Sequence, residues 1–251
     1  MNSRKFSILN LLCIHLVSAL LLVSPFNSAL AQKVNTTLTY SVNLPGKISN
    51  KTPVLILLHG YGSNESDLFG LSAAIGPKFI TFSLRAPNNT KDGGYCWYNL
   101  EFLSNGQFKY DYNKAKESAK KISSFISNAC KVYQVDSTQV FLLGFSQGAI
   151  MSYELAFSNP KKIKGIMPLS GRLMKETKEL KIDWANASKV KFFIGHGTSD
   201  NVINVEESEK VNSFLKENKV NDLTFKKYPI QHTISTEEVT DIQRWLMGVS
   251  K

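Results

Sequence analysis

The sequence predicts an α/β protein with a mostly parallel central sheet covered by helices on both faces. Three observations lead there. Short runs rich in β-branched and aromatic residues alternate with longer stretches of helical periodicity, the sequence form of a parallel sheet whose crossovers are helices. Some of the short runs, Val54-Leu55-Ile56-Leu57-Leu58 above all, are apolar at every position, as a fully buried strand is. The chain has 251 residues, 43% apolar and 20% charged, enough to bury a sizeable core in one domain.

Taken in order, the first 31 residues stand apart. Arg4 and Lys5 precede an apolar run from Ile8 to Val23, followed by Pro25 and Ser28-Ala29-Leu30-Ala31. That is the pattern of a cleaved secretory signal, 1–31, which leaves a single domain over 32–251 and a secreted or periplasmic location. Asn10, His15 and Ser18 interrupt the run, which falls short of the ~20 apolar residues a membrane span needs. No stable span is expected after cleavage.

The strand Val54–Leu58 is followed by helical periodicity from about Glu65 to Ala74 and by a strand Phe79–Leu84. A long helix from about Tyr112 to Tyr133 carries Ala115, Ala119, Ile122, Phe125 and Ile126 on one face. Then come a strand Val140–Leu143, a helix Gly148–Ser158, a strand Ile163–Met167, a variable stretch from Arg172 to Lys189 and a strand Val190–Ile194. A helix Val205–Glu217, a strand Leu223–Tyr228 and a last helix with Val239, Ile242, Trp245 and Leu246 close the domain. Ser235 and Glu238 form a capping box at its start, which places His232 in the loop after a strand end.

The chain carries 30 basic and 20 acidic residues, and 28 basic ones once Arg4 and Lys5 leave with the signal. Its lysines are scattered over helix faces and turns without a basic run, so the charge reads as a solvated surface and no nucleic-acid partner is implied. Cys96 and Cys130 are the two cysteines of the mature chain and make no disulfide framework.

Chemistry concentrates at Gly144-Phe145-Ser146-Gln147-Gly148, between a strand and a helix. By composition alone, these five letters arise by chance in roughly one chain in ten of this size. The strand–turn–helix context is what makes them a nucleophile elbow, a turn tight enough to lift Ser146 above the sheet. A serine hydroxyl attacks only when a base takes its proton, and the base needs a third group to orient it. His59, His196 and His232 survive signal removal. His59 precedes Gly60-Tyr61-Gly62 and reads as a loop former; His196 lies too near the candidate acid and is given a loop-shaping role. His232 is left as base. Asp200 lies in Gly197-Thr198-Ser199-Asp200 past a strand end, whereas Glu206, Glu207 and Glu209 fall inside a helix and Asp183 in the variable stretch. The order Ser146, Asp200, His232 is that of the α/β-hydrolase fold. Two backbone N–H groups would stabilise the developing oxyanion, those of Gln147 in the elbow and Tyr61 in the loop after the first strand.

The segments Leu57-Leu58-His59-Gly60-Tyr61-Gly62-Ser63-Asn64, Trp97-Tyr98 after Gly93-Gly94, Gly144 to Ala149, Leu169-Ser170-Gly171, His196 to Asp200 with Val202-Ile203, and the His232 loop resemble the phospholipase/carboxylesterase family of small α/β-hydrolases. They span nearly the whole mature chain in family order. The resemblance implies a hydrolase of short or medium acyl esters that works through an acyl-enzyme on Ser146, with a small-molecule ester as partner and neither metal nor cofactor. One departure is Gln231-His232-Thr233, where family members often carry glycine beside the histidine. A lysophospholipase or thioesterase would use the same residues, and a non-catalytic binding scaffold would lack one of them. Tyr95, Trp97, Tyr98, Phe102 and Phe108 are candidates to line an acyl pocket, Trp97 foremost; residues 172–189 form either a partial lid or a cover on the sheet. Oligomeric state is left open.

Overall fold

A computed structural model describes residues 31–102 and 108–250, the side chains of Phe102 and Phe108 excepted. The expected signal, apart from Ala31, lies outside the described residues. Among those residues, no helix is long and apolar enough to cross a membrane.

In chain order the elements are β1 (Tyr40–Asn43), β2 (Val54–Leu58), α1 (Ser72–Ile75), β3 (Ile80–Leu84), β4 (Asn88–Asn89), β5 (Tyr95–Cys96), β6 (Leu100–Phe102), β7 (Phe108–Tyr110), α2 (Tyr112–Tyr133), β8 (Val140–Phe145), α3 (Gln147–Ser158), β9 (Gly165–Leu169), α4 (Lys175–Glu179), α5 (Trp184–Ala187), β10 (Lys191–Gly197), α6 (Val205–Glu217), β11 (Leu223–Tyr228) and α7 (Thr236–Val249). Seven strands form one sheet in the order β1-β3-β2-β8-β9-β10-β11. All neighbours are parallel except β1, which runs antiparallel along β3.

Every residue of β2, β3 and β9 is buried, because helices cover both sides of the sheet. Val54, Ile56 and Leu58 face a core shared with α2, α3 and α6, and Leu55 and Leu57 face one shared with α1 and α7. Helix α2 starts where the Asp111 carboxylate accepts the Lys114 N–H at 3.1 Å, and it ends at Gln134 in the left-handed conformation. Its buried face is the expected one, with Phe125 edge-on to Phe82 at 5.1 Å.

The helix expected from Glu65 to Ala74 is instead a 3₁₀ turn at Phe69–Leu71 leading into the single turn of α1. Asn64 Oδ1 accepts the Ser66 N–H at 2.8 Å, a local turn that competes with helix where the sequence suggested its start. The 172–189 stretch packs on helices α3 and α6. Leu173, Met174 and Thr177 are buried, and the Trp184 ring packs on Phe157 and Phe214. Cys96 and Cys130 are buried and unpaired, and burial pushes both thiols up to about 11.

At α7 the Ser235 hydroxyl accepts the Glu238 N–H at 3.1 Å, and the Glu238 carboxyl, in reach of the Ser235 backbone N–H, turns inward toward Gly195 of β10 with Oε2 buried and unpartnered. Burial, with the neighbouring Asp241 charge, pushes this carboxyl up to about 8. Below the ordinary carboxylate value of 4.5 Glu238 is protonated in both folded and unfolded chains; between 4.5 and about 8 only the folded chain keeps the proton. Stability therefore falls with rising pH across that window, by about 1.4 kcal/mol per pH unit at most. Glu238→Gln is expected to remove this slope and raise the thermal transition at pH 8. Parallel melting curves of parent and variant at pH 5 and pH 8 check it, and an equal pH dependence in both would contradict it.

Candidate active site

In an open parallel sheet the groups that act on a ligand collect beyond the carboxyl ends of the strands. Here the pairing of Leu58 with both Leu84 and Gly144 brings the ends of β2, β3 and β8 level. Ser146 follows β8, Asp200 follows β10 and His232 follows β11, so three loops deliver one side chain each to the same edge.

Ser146 sits between strand and helix with φ 54° and ψ −113°. This conformation costs a non-glycine residue about 1–3 kcal/mol. It is held by the Ser146 N–H donating to Leu169 O of β9 at 2.9 Å and by tight packing of the flanking glycines. A Cβ on Gly148 would meet Leu58 O at 1.9 Å, and one on Gly144 would meet Gly148 O at 2.2 Å. Glycine is required at both because backbone passes over backbone.

Ser146 Oγ lies 2.9 Å from His232 Nε2, and His232 Nδ1 lies 2.7 Å from Asp200 Oδ2. The Asp200 carboxylate is fixed from its other side, with Oδ1 accepting the N–H groups of Val202 and Ile203, each at 2.9 Å. Burial pushes the Asp200 carboxyl up, but the bonds from His232, Ile203 and Val202 together hold it below the ordinary carboxylate range. Asp200 is thus an anion facing Nδ1, which makes Nδ1 the protonated nitrogen and leaves Nε2 free to accept from Ser146. Ser146 and His232 are partly exposed, whereas the Asp200 side chain is sealed from solvent. The Phe145 ring stands 4.9 Å from the His232 imidazole at a tilt of 43° and limits its rotation.

The loop after β2 runs against the elbow. A Cβ on Gly60 would sit 3.4 Å from Ser146 Cβ, so Gly60 passes within van der Waals reach of the serine. The loop is tied down by Gly62 N–H to Tyr95 O at 2.9 Å and Tyr95 N–H to Ser63 O at 2.8 Å. Gly94, at φ 82°, lies so close to Gly62 that a Cβ would meet Gly62 O at 1.9 Å, which accounts for glycine at that position, while Gly93 is at φ 90°. His59 anchors the loop from below: its Nε2 accepts the Ala86 N–H at 3.0 Å, so its Nδ1–H donates to Gly60 O at 2.7 Å. Gln147 is the first residue of α3, where N–H groups lack intrahelical acceptors. Its buried side chain is committed elsewhere, accepting from Trp97 N–H and donating to Tyr98 O, both at 2.8 Å.

Trp97 requires a correction. It is fully buried, with its indole N–H donating to His59 O at 2.9 Å, so it supports the loop from beneath and lines no open pocket. Tyr98 is likewise buried, Tyr95 lies under the Arg85 guanidinium, and the side chains of Phe102 and Phe108 are outside the described residues. His196 shapes its loop as expected, with Nε2 2.8 Å from Ile203 O, and makes one contact that was not expected. Its Nε2 lies 3.3 Å from Asp200 Oδ2, a contact that the four-residue spacing from Asp200 permits once β10 runs on to Gly197.

The chain is similar to acyl-protein thioesterase 1 of Kluyveromyces lactis, 28% identical over 228 residues that cover 84% of this chain and 98% of that protein. It is also similar to acyl-protein thioesterase 1 of Yarrowia lipolytica, 25% identical over 82% of this chain and 95% of that one. Among solved structures, the carboxylesterase of Bacillus cereus matches with a TM-score of 0.73 at 24% identity, covering 86% of this chain and 96% of the other. That likeness places the sheet and its helices in the α/β-hydrolase fold. The profile of the phospholipase/carboxylesterase family matches residues 43–250, from the end of β1 through α7. With that match over the strands that carry the site, the chain is a serine hydrolase of the phospholipase/carboxylesterase family.

Proposed function

We propose that the protein is a carboxylesterase that hydrolyses short- to medium-chain acyl esters through an acyl-enzyme on Ser146. The observation that carries this reading is the unbroken hydrogen-bonded line from Ser146 through His232 to Asp200 at the carboxyl edge of the sheet. In this mechanism Nε2 of His232 takes the Ser146 proton as Oγ attacks the ester carbonyl carbon, and the imidazolium that forms faces the Asp200 carboxylate. The oxyanion is received by the N–H groups of Tyr61 and Gln147. Collapse of the tetrahedral adduct expels the alcohol, which leaves with the proton from Nε2. Water then repeats the sequence on the acyl-serine and releases the acid.

A second reading, thioester or lysophospholipid hydrolysis by the same residues, draws on the name of the Kluyveromyces lactis relative, acyl-protein thioesterase 1. The pattern of residues 1–31 supports the separate proposal that the protein acts outside the cytoplasm once they are removed. The chain from Gln32 onward is to be assayed on p-nitrophenyl acetate, butyrate, octanoate and palmitate and on an S-palmitoyl peptide. The expected result is a kcat/KM about tenfold or more higher for butyrate and octanoate than for palmitate. A preference for palmitate or the thioester would transfer the conclusion to the second reading. A folded chain inactive on all of them would favour a non-catalytic binding scaffold. Amino-terminal sequencing of protein recovered from outside the cytoplasm tests the export proposal, with Gln32 as the expected first residue.

A further inference from the structure

His196 is fully buried at the end of β10, and its ring makes three polar contacts. Nε2 is 2.8 Å from Ile203 O and 3.3 Å from Asp200 Oδ2, and Nδ1 is 2.6 Å from Ser208 Oγ of α6. Neither partner of Nε2 has a proton to give, because one is a carbonyl and the other an ionised carboxylate; Nε2 must therefore carry the hydrogen. Ser208 has one proton and two acceptors in reach, Nδ1 at 2.6 Å and Gly171 O at 3.1 Å. Burial disfavours the charged ring, so Nδ1 is bare and takes the Ser208 proton. The tautomer of His196 is thus opposite to that of His232, and the two rings approach Asp200 Oδ2 from β10 and from the loop after β11.

We propose that His196 is a positioning residue for the reaction: its neutral ring gives the Nε2 hydrogen to Ile203 O and holds the same N–H 3.3 Å from Asp200 Oδ2, beside His232, and so sets how much negative charge the base meets. The carboxylate is then held by three hydrogen bonds, from Val202 and Ile203 N–H on Oδ1 and from His232 on Oδ2, with the polarised Nε2–H of His196 a further 3.3 Å contact on Oδ2. Ser208 fixes the His196 ring, and α6 is thereby coupled to the acid. The charged or titratable groups that face this ring are Asp200 and His232. From α7, Glu238 reaches Gly195, one residue back on β10, and from α6 the facing group is the neutral Ser208.

Removing the donor concentrates the carboxylate charge on His232, which stabilises its imidazolium and makes it a base only at higher pH. The inference rests on the reading of Ser146, His232 and Asp200 as the reacting set. If Ser146→Ala kept parental turnover, that reading would fail while the His196 tautomer remained as described.

The test combines histidine ¹⁵N spectra of the parent from pH 5 to pH 9 with pH profiles of kcat/KM for His196→Leu and His196→Gln. The expected spectrum is a His196 that is neutral and protonated on Nε2 at pH 7 and above. For His196→Leu the acid limb of the profile is expected about half a pH unit higher, with kcat down about tenfold and KM unchanged. His196→Gln, whose amide can donate to Asp200, is expected to keep the parental limb. A His196 that is imidazolium or Nδ1-protonated at pH 7 overturns the proposal, as does a folded His196→Leu with the parental limb. Should His196→Leu fail to fold, the glutamine variant decides with the spectra, because a displaced limb there would show that ring shape, not the donated proton, is what matters.

Discussion

His232→Ala is expected to lower turnover of p-nitrophenyl butyrate by about four to six orders of magnitude. The magnitude follows from geometry: Nε2, the proposed base, lies 2.9 Å from Ser146 Oγ, and without it the hydroxyl must attack with its proton in place. Ser146→Ala is expected to fall as far, and the double variant no further, because the two groups act as a unit. The residual rate in all three would come from binding and the oxyanion N–H groups. Single-turnover assays on variants whose melting curves match the parent check this. A His232→Ala enzyme within about a hundredfold of the parent would contradict the assignment of the base.

Gly148→Ala is expected to unfold the region around the elbow rather than slow the chemistry. Its new Cβ would lie 1.9 Å from Leu58 O, 2.5 Å from Leu58 C and 2.8 Å from His59 O, all backbone atoms that have no rotamer by which to yield. The end of β2 and the start of α3 would have to separate, at a cost of about 4 kcal/mol or more. For a domain of this size that lowers the melting midpoint by about ten degrees. Gly70→Ala is the matched control, since nothing lies within 4 Å of the added methyl, and its midpoint is expected at the parental value. Equal midpoints for both variants would mean that the elbow is looser than its geometry indicates.

The parallel sheet was legible because its strands are continuous apolar runs, and β2, β3, β8 and β11 begin within about a residue of where hydropathy places them. Their far ends were less legible. β8, β9 and β10 run two or three residues beyond the apolar stretch, into Gly144-Phe145, Pro168-Leu169 and Gly195-His196-Gly197, residues that locally read as turn. They stay in the sheet because neighbouring strands supply their hydrogen bonds and because close neighbours, Glu238 at Gly195 and the Ile230 carbonyl at Gly197, leave room for nothing larger than glycine. β1 and the small hairpins β4–β5 and β6–β7 were missed, being too short to show a period. At the site, Ser146, Asp200 and His232 were read from motif and chain order, and the structure brings them together. The Trp97 error and the Asp200 contact of His196 share a cause. Whether an aromatic or a histidine faces solvent, substrate or a buried carboxylate depends on which strand lies beside it, and no local pattern encodes that.

The left-handed backbone of Ser146 puts stability and activity in opposition at a single position. A glycine there would adopt the same φ without strain, so Ser146→Gly is a change that a laboratory selection for heat resistance alone should find and keep, while any selection that demands turnover should reject it. Populations evolved under the two regimes would diverge first at residue 146, and the melting gain of the inactive lineage would measure how much conformational stress the living enzyme carries in order to hold one hydroxyl in place.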